Sequence, residues 1–106
     1  MVEKKTTAVP EQTDNEKWAE NKWSYLFTPP TELPVITRMR LWGKLSKIGE
    51  QFNENMSLGD AGTLGAEALE VLREYAVKDT EEFDKSGIPL MDVWEIIALY
   101  RLALGE

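Results

Sequence analysis

Four cations and an indole fall close together in the chain: Arg38, Arg40, Trp42, Lys44 and Lys47. Such residues can neutralise phosphates and stack on a base. One alternative function is therefore a small nucleic-acid-binding regulator using a basic helix over 35–48. The whole chain opposes this, because its net charge is −7, and a protein that acidic has little general affinity for polyanions. Nucleic acid is not the expected partner. Carboxylates are the other reactive groups. Glu67, Glu70 and Glu74 recur at helical spacing and belong on one solvated helix face, while Glu81 and Glu82 are adjacent. Acid–base chemistry needs paired carboxylates in a cleft, and neither group has that form. Ser24, Ser46, Ser57 and Ser86 have no histidine to activate them, since the chain has no histidine and no cysteine. No loop has calcium-binding spacing. The stretch LGDAGTLG has three glycines but no phosphate-loop lysine, so it reads as a linker. The residues predict a protein that is not an enzyme, with no metal and no cofactor.

The elements behind these residues are helical. The 106 residues suit one domain. Residues 1–14 are polar and predict a disordered tail, leaving 15–106 as a single helical domain. Leu41, Leu45, Ile48 and Phe52 recur with a helical period, flanked by Val35, Met39 and Trp42, and predict a helix over about 35–52. Leu64, Ala68, Val71 and Tyr75 do the same for about 61–77. A third helix is predicted over about 89–104, with Pro89 tolerated in its first turn. Ser57 and Asp79, each followed three residues later by an acid, resemble helix caps. Short accessory helical turns fall near Asp14 and Phe83. No strand alternation is sustained, so the fold class is all-α, a small bundle of three main helices. The aromatic-rich segment 18–27, from Trp18 to Phe27, has two readings: a lid folded back on the helices, or an anchor for a partner through Trp23.

Charge is segregated along the chain. Residues 35–48 carry four cations and no acid, whereas residues 49–106 carry thirteen acids against four bases. A basic helix can pack on acidic ones or face an acidic partner, and a head-to-tail homo-oligomer satisfies both. The segment MDVWEIIALYRLALGE adds to this. On a helical wheel Leu90, Val93, Trp94, Ile97, Tyr100 and Leu104 form one face that includes Arg101, while Ile96 and Leu99 reach the other side. Two further substantial helices cover such a helix poorly, so a protein partner is expected to complete it. The helix is too short and too charged to span a bilayer, and no apolar leader precedes the domain. No membrane association is expected, and the location is expected to be cytoplasmic.

The order of these features resembles the small tail assembly chaperones of long-tailed, siphovirus-type bacteriophages. The similarity covers roughly residues 33–104. It rests on PTELPVITRM before the first long helix, the acidic helix AEALEVLREYA, the turn TEEFDKSG, and IPLMDVWEIIALYRLALGE with Pro-Leu opening an aromatic-rich helix. The resemblance implies an all-α, non-enzymatic protein that oligomerises. Such a protein binds the tape measure protein and keeps it soluble in the host cell cytoplasm while the tail is built. The family also has longer frameshifted forms. It assigns no residue a role. From the wheel and the charge pattern, the candidate partner-binding residues are Leu90, Trp94, Ile96, Ile97, Leu99, Tyr100, Arg101, Arg38, Arg40, Lys44, Lys47 and Trp23. A structural virion component, such as a head–tail connector subunit, is the other alternative.

Overall fold

The computed structural model describes residues 12–106. It is all-α: α1 (Asp14–Ala19), α2 (Val35–Glu50), α3 (Leu58–Tyr75), α4 (Thr80–Lys85) and α5 (Leu90–Leu104), with single 3-10 turns at Ser24–Leu26 and Pro30–Glu32. The three long helices are the three expected from periodicity. Among the described residues there is no strand, and one isolated antiparallel bridge joins Phe27 to Val77. Residues 1–11 of the expected tail lie outside the described residues. Thr13 and Asp14 already belong to α1 and its cap.

Three of the five α-helices among the described residues open on a side-chain cap. The Thr13 hydroxyl accepts from the Glu16 backbone N–H, and the Glu16 carboxylate accepts from the Thr13 N–H, a reciprocal capping box. Asp79 accepts from the N–H groups of Glu81 and Glu82 to open α4. Ser57 accepts from the Asp60 N–H, so α3 begins at Leu58 rather than at the expected residue 61. The stretch read as a linker, LGDAGTLG, therefore forms the first two turns of α3. Each glycine costs about 1 kcal/mol in a helix interior. The Ser57 cap and the burial of Leu64, Gly65 and Ala68 offset that cost. Gly87, at φ 65°, makes the left-handed turn that leads into Pro89 and α5.

One cluster of buried side chains runs from Trp18 to Leu104. At its centre Trp18 meets Phe27 (5.4 Å, 74°) and Tyr100 (4.9 Å, 89°) edge to face, and Phe27 meets Phe83 likewise at 5.6 Å. Such geometry adds about 0.5–1.5 kcal/mol per pair beyond area burial. The Tyr100 hydroxyl donates to the Thr28 carbonyl at 2.6 Å, and burial raises its ionisation above the ordinary phenol range. Thr28 in turn donates its N–H to the Ala76 carbonyl, and Lys78 donates to Leu26. The aromatic segment is thus the lid of the two readings, tied by side chains to α5 and by backbone to the end of α3.

The lid changes how α5 is covered. α1 packs along α5, with α2 and α3 on its other flanks. The buried face of α5 is Val93, Ile96, Tyr100, Ala103 and Leu104. Ile96 and Tyr100 are both 0% exposed, so the expectation that they meet a partner is corrected. The six-residue α1 and the two 3-10 turns supply the wall that two long helices alone do not. The Glu106 side chain completes this wall. Its carboxylate accepts from the Asp14 and Asn15 backbone N–H groups and from the Asn15 amide. Those bonds, the Asn15 backbone first, hold its pKa below the ordinary glutamate value.

Candidate interaction surface

With α1 on one flank, the opposite side of α5 is left facing out. Leu90 and Met91 are each 81% exposed, and Trp94 and Leu102 stand partly in solvent. Leu58, at the first turn of α3, is 93% exposed. Isolated surface leucines need no explanation, but these converge. Leu58, Ala61, Gly62, Gly65, Ala66 and Leu69 of α3 face Leu90, Val93 and Trp94 of α5 across an apolar cleft of about 320 Å³.

Small residues shape the cleft. A Cβ at Gly65 would lie 2.8 Å from the Trp94 ring, so only glycine lets that indole rest against α3. Phe52 holds the ring from the other side, edge to face at 5.5 Å. Trp94 thereby forms a fixed wall, with Gly62 and Ala66 leaving room along α3. The arrangement suits an apolar helix ridge: a hydrophobic floor, projecting leucines at the mouth and no charged side chain in the lining.

The remaining candidates divide by position. Arg40, Lys44 and Lys47 are exposed, spaced i, i+4 and i+7 along α2. Arg38 and Trp42 lie elsewhere on that helix, in a second cleft of about 290 Å³ with Val35, Met39, Leu104 and Gly105. The cations and the indole therefore do not form one stripe. The Arg38 Nε is buried with no hydrogen-bond partner among the described residues. Ile97 and Leu99 are half-buried and pack on the core, while Arg101 is exposed on α5. Trp23 is half-buried; its Nε1 donates to Asp92 at 2.8 Å, and Lys22 lies 5.1 Å over its ring. That corrects its place among the partner anchors, since both polar edge and face are engaged within the molecule. Leu58, Met91 and Leu102 were missed. Leu58 sat in the supposed linker, and the other two fell off the main face of the wheel.

Electrostatic pairing elsewhere is superficial. Arg73 grips Asp84 through two bonds of 2.8 and 2.7 Å, which lowers the aspartate's pKa, yet both groups are solvent-exposed. Among the described residues no group of three or more histidine, cysteine, aspartate or glutamate side chains is placed to hold a metal ion. Among them, too, no helix is long and apolar enough to cross a membrane. No protein-family model, no curated protein and no solved structure matches the chain.

Proposed function

We propose that the chain is a non-enzymatic assembly protein that holds an amphipathic helix of a longer protein. In its most specific form it is a phage tail assembly chaperone that keeps the tape measure protein soluble in the host cytoplasm. The observation that carries this reading is the cleft between α3 and α5, whose floor is apolar and whose mouth is framed by Leu58 and Leu90. A helix-in-groove binder needs an uncharged trough for residues at i, i+4 and i+7 of its client. It also needs a charged exterior that keeps the complex in solution, and the acids of α3 and α4 supply one. The order of motifs over residues 33–104 supports the narrower identification.

The test is co-expression with a tape measure protein and recovery of a soluble complex, repeated with Leu58→Glu and Leu90→Glu. Both side chains are exposed, so the variants are expected to fold as the parent does and to lose the client. Failure of the parent to retain any helical client, or equal retention by both variants, refutes the reading. Recovery of the protein in purified mature virions refutes the chaperone role and favours a structural subunit.

A further inference from the structure

The cleft between α3 and α5 does not end at Leu69. That residue, with Leu90 and Val93, also lines a second hollow of about 480 Å³ beside the end of α4. The two spaces share this wall and form one groove along α3. Their chemistry differs. Among the described residues, no carboxylate, amide or hydroxyl side chain lines the cleft. The hollow has an equally apolar floor. Phe83 is buried there and held edge to face by Phe27, while Leu69 and Ile88 pack on the core. Its rim, however, carries the Asp84 carboxylate and the Ser86 hydroxyl.

Both rim groups can accept a further hydrogen bond, and neither calls for a positive charge. Arg73 donates one bond to each Asp84 oxygen, at 2.8 and 2.7 Å, so the carboxylate's charge is already balanced. A carboxylate oxygen has two acceptor sites, so each can take a second donor. The Ser86 hydroxyl donates to the Phe83 carbonyl at 2.7 Å, and its oxygen is still able to accept. The side chain that suits this compartment has a large apolar body and one uncharged donor at its edge. Tyrosine and tryptophan have that form. A lysine or arginine would compete with Arg73 for the same oxygens, and an aliphatic side chain would offer the rim no donor.

We propose that the hollow is a second anchor site for the client helix. It takes a tyrosine or tryptophan whose ring lies on Leu69, Phe83 and Ile88 and whose O–H or N–H donates to Asp84 or Ser86. The inference rests on the client reading and adds a sequence requirement to it: the cleft takes an aliphatic residue and the hollow an aromatic one with a donor. The middle of the cleft, at Gly62 and Ala66, is roughly 8–10 Å from the hollow along α3. A client helix covers that distance in about seven residues and returns to the same face. The aromatic therefore falls at i+7 from the aliphatic anchor.

The test uses the full chain and fluorescein-labelled amphipathic peptides of about 16 residues. The peptides share a leucine at i and differ only at i+7, which is Tyr, Trp, Phe, Leu or Lys. Fluorescence anisotropy is expected to rank the Tyr and Trp peptides tightest. The Phe peptide should bind about two- to tenfold more weakly than the Tyr peptide, the worth of one hydrogen bond. In a chain carrying Asp84→Ala and Ser86→Ala, with circular dichroism unchanged, the Tyr peptide should fall to the level of the Phe peptide. Equal binding of the Tyr, Phe and Leu peptides by the parent, with all three lost on Leu58→Glu, overturns this inference and leaves the client reading standing. A Tyr preference that survives in the folded Asp84→Ala, Ser86→Ala chain also overturns it. Binding of none of the peptides overturns both.

Discussion

Replacing Gly65 with alanine sets two effects against each other at the wall of the cleft. In a helix interior the change gains about 1 kcal/mol, since alanine loses less backbone freedom on folding. At Gly65 the new methyl would sit 2.8, 3.1 and 3.2 Å from three atoms of the Trp94 ring. Phe52 packs on the ring edge to face at 5.5 Å and opposes its moving aside. Overpacking of this kind costs about 1–3 kcal/mol, so the net change runs from neutral to a loss of about 2 kcal/mol. Gly62 is one turn earlier, and a methyl there meets nothing within 4 Å. Gly62→Ala should therefore show the gain alone. Thermal and urea unfolding followed by circular dichroism would separate the two, at roughly 4–8 °C of Tm per kcal/mol for a domain this size. In a Trp94→Ala background the Gly65→Ala penalty should vanish, a coupling that a double-mutant cycle measures directly. If Gly65→Ala stabilises the parent as much as Gly62→Ala does, the indole does not rest against α3 and the described cleft is wrong.

Two further outcomes test the core and the latch. Tyr100→Phe leaves the Thr28 carbonyl without its buried donor and should cost about 1–3 kcal/mol in urea unfolding, with ring packing retained; no loss would mean that the hydroxyl is dispensable. Glu106→Gln should destabilise the chain above the ordinary carboxylate range and progressively less below it. The folded Glu106 carboxyl is held below its ordinary value of 4.5. Its contribution is therefore complete above that value and is lost as pH falls through the lower, folded one. A parent-minus-variant difference that does not change across this acid range would refute the latch.

Legibility in the sequence followed amphipathicity. α2 and α3 have one polar side each, so Leu41, Leu45, Leu64 and Ala68 were readable as core positions and are buried. Ile48, Val71 and Tyr75 of the same stripes are half-buried, and Phe52 falls beyond the end of α2 and is exposed. The caps at Ser57 and Asp79 were equally plain. α5 was harder because apolar residues surround most of it, and the wheel alone does not say which arc is inside. The outcome depends on α1 and the aromatic lid, which reach α5 from about eighty residues away, a tertiary effect with no local signal. The covered arc includes Ile96 and Tyr100, while Leu90 and Trp94 of the expected main face stand out in solvent. The cleft was invisible for a related reason. Glycines that usually mark a linker here mark a helix against which an indole must fit, and only the position of Trp94 distinguishes the two.

The bond between Glu106 and the start of α1 has a consequence for the order of synthesis. Asn15 and its partner are 91 residues apart, so translation at about 5–20 residues per second separates them by roughly 5–18 s. During that interval Trp18 has no Tyr100 to pack on, and α1 has only its local Thr13–Glu16 capping box to hold it. The nascent chain therefore carries its most buried aromatic residues unprotected until α5 has left the ribosome. Its core closes by joining the ends of the described fold rather than growing outward from its first helix.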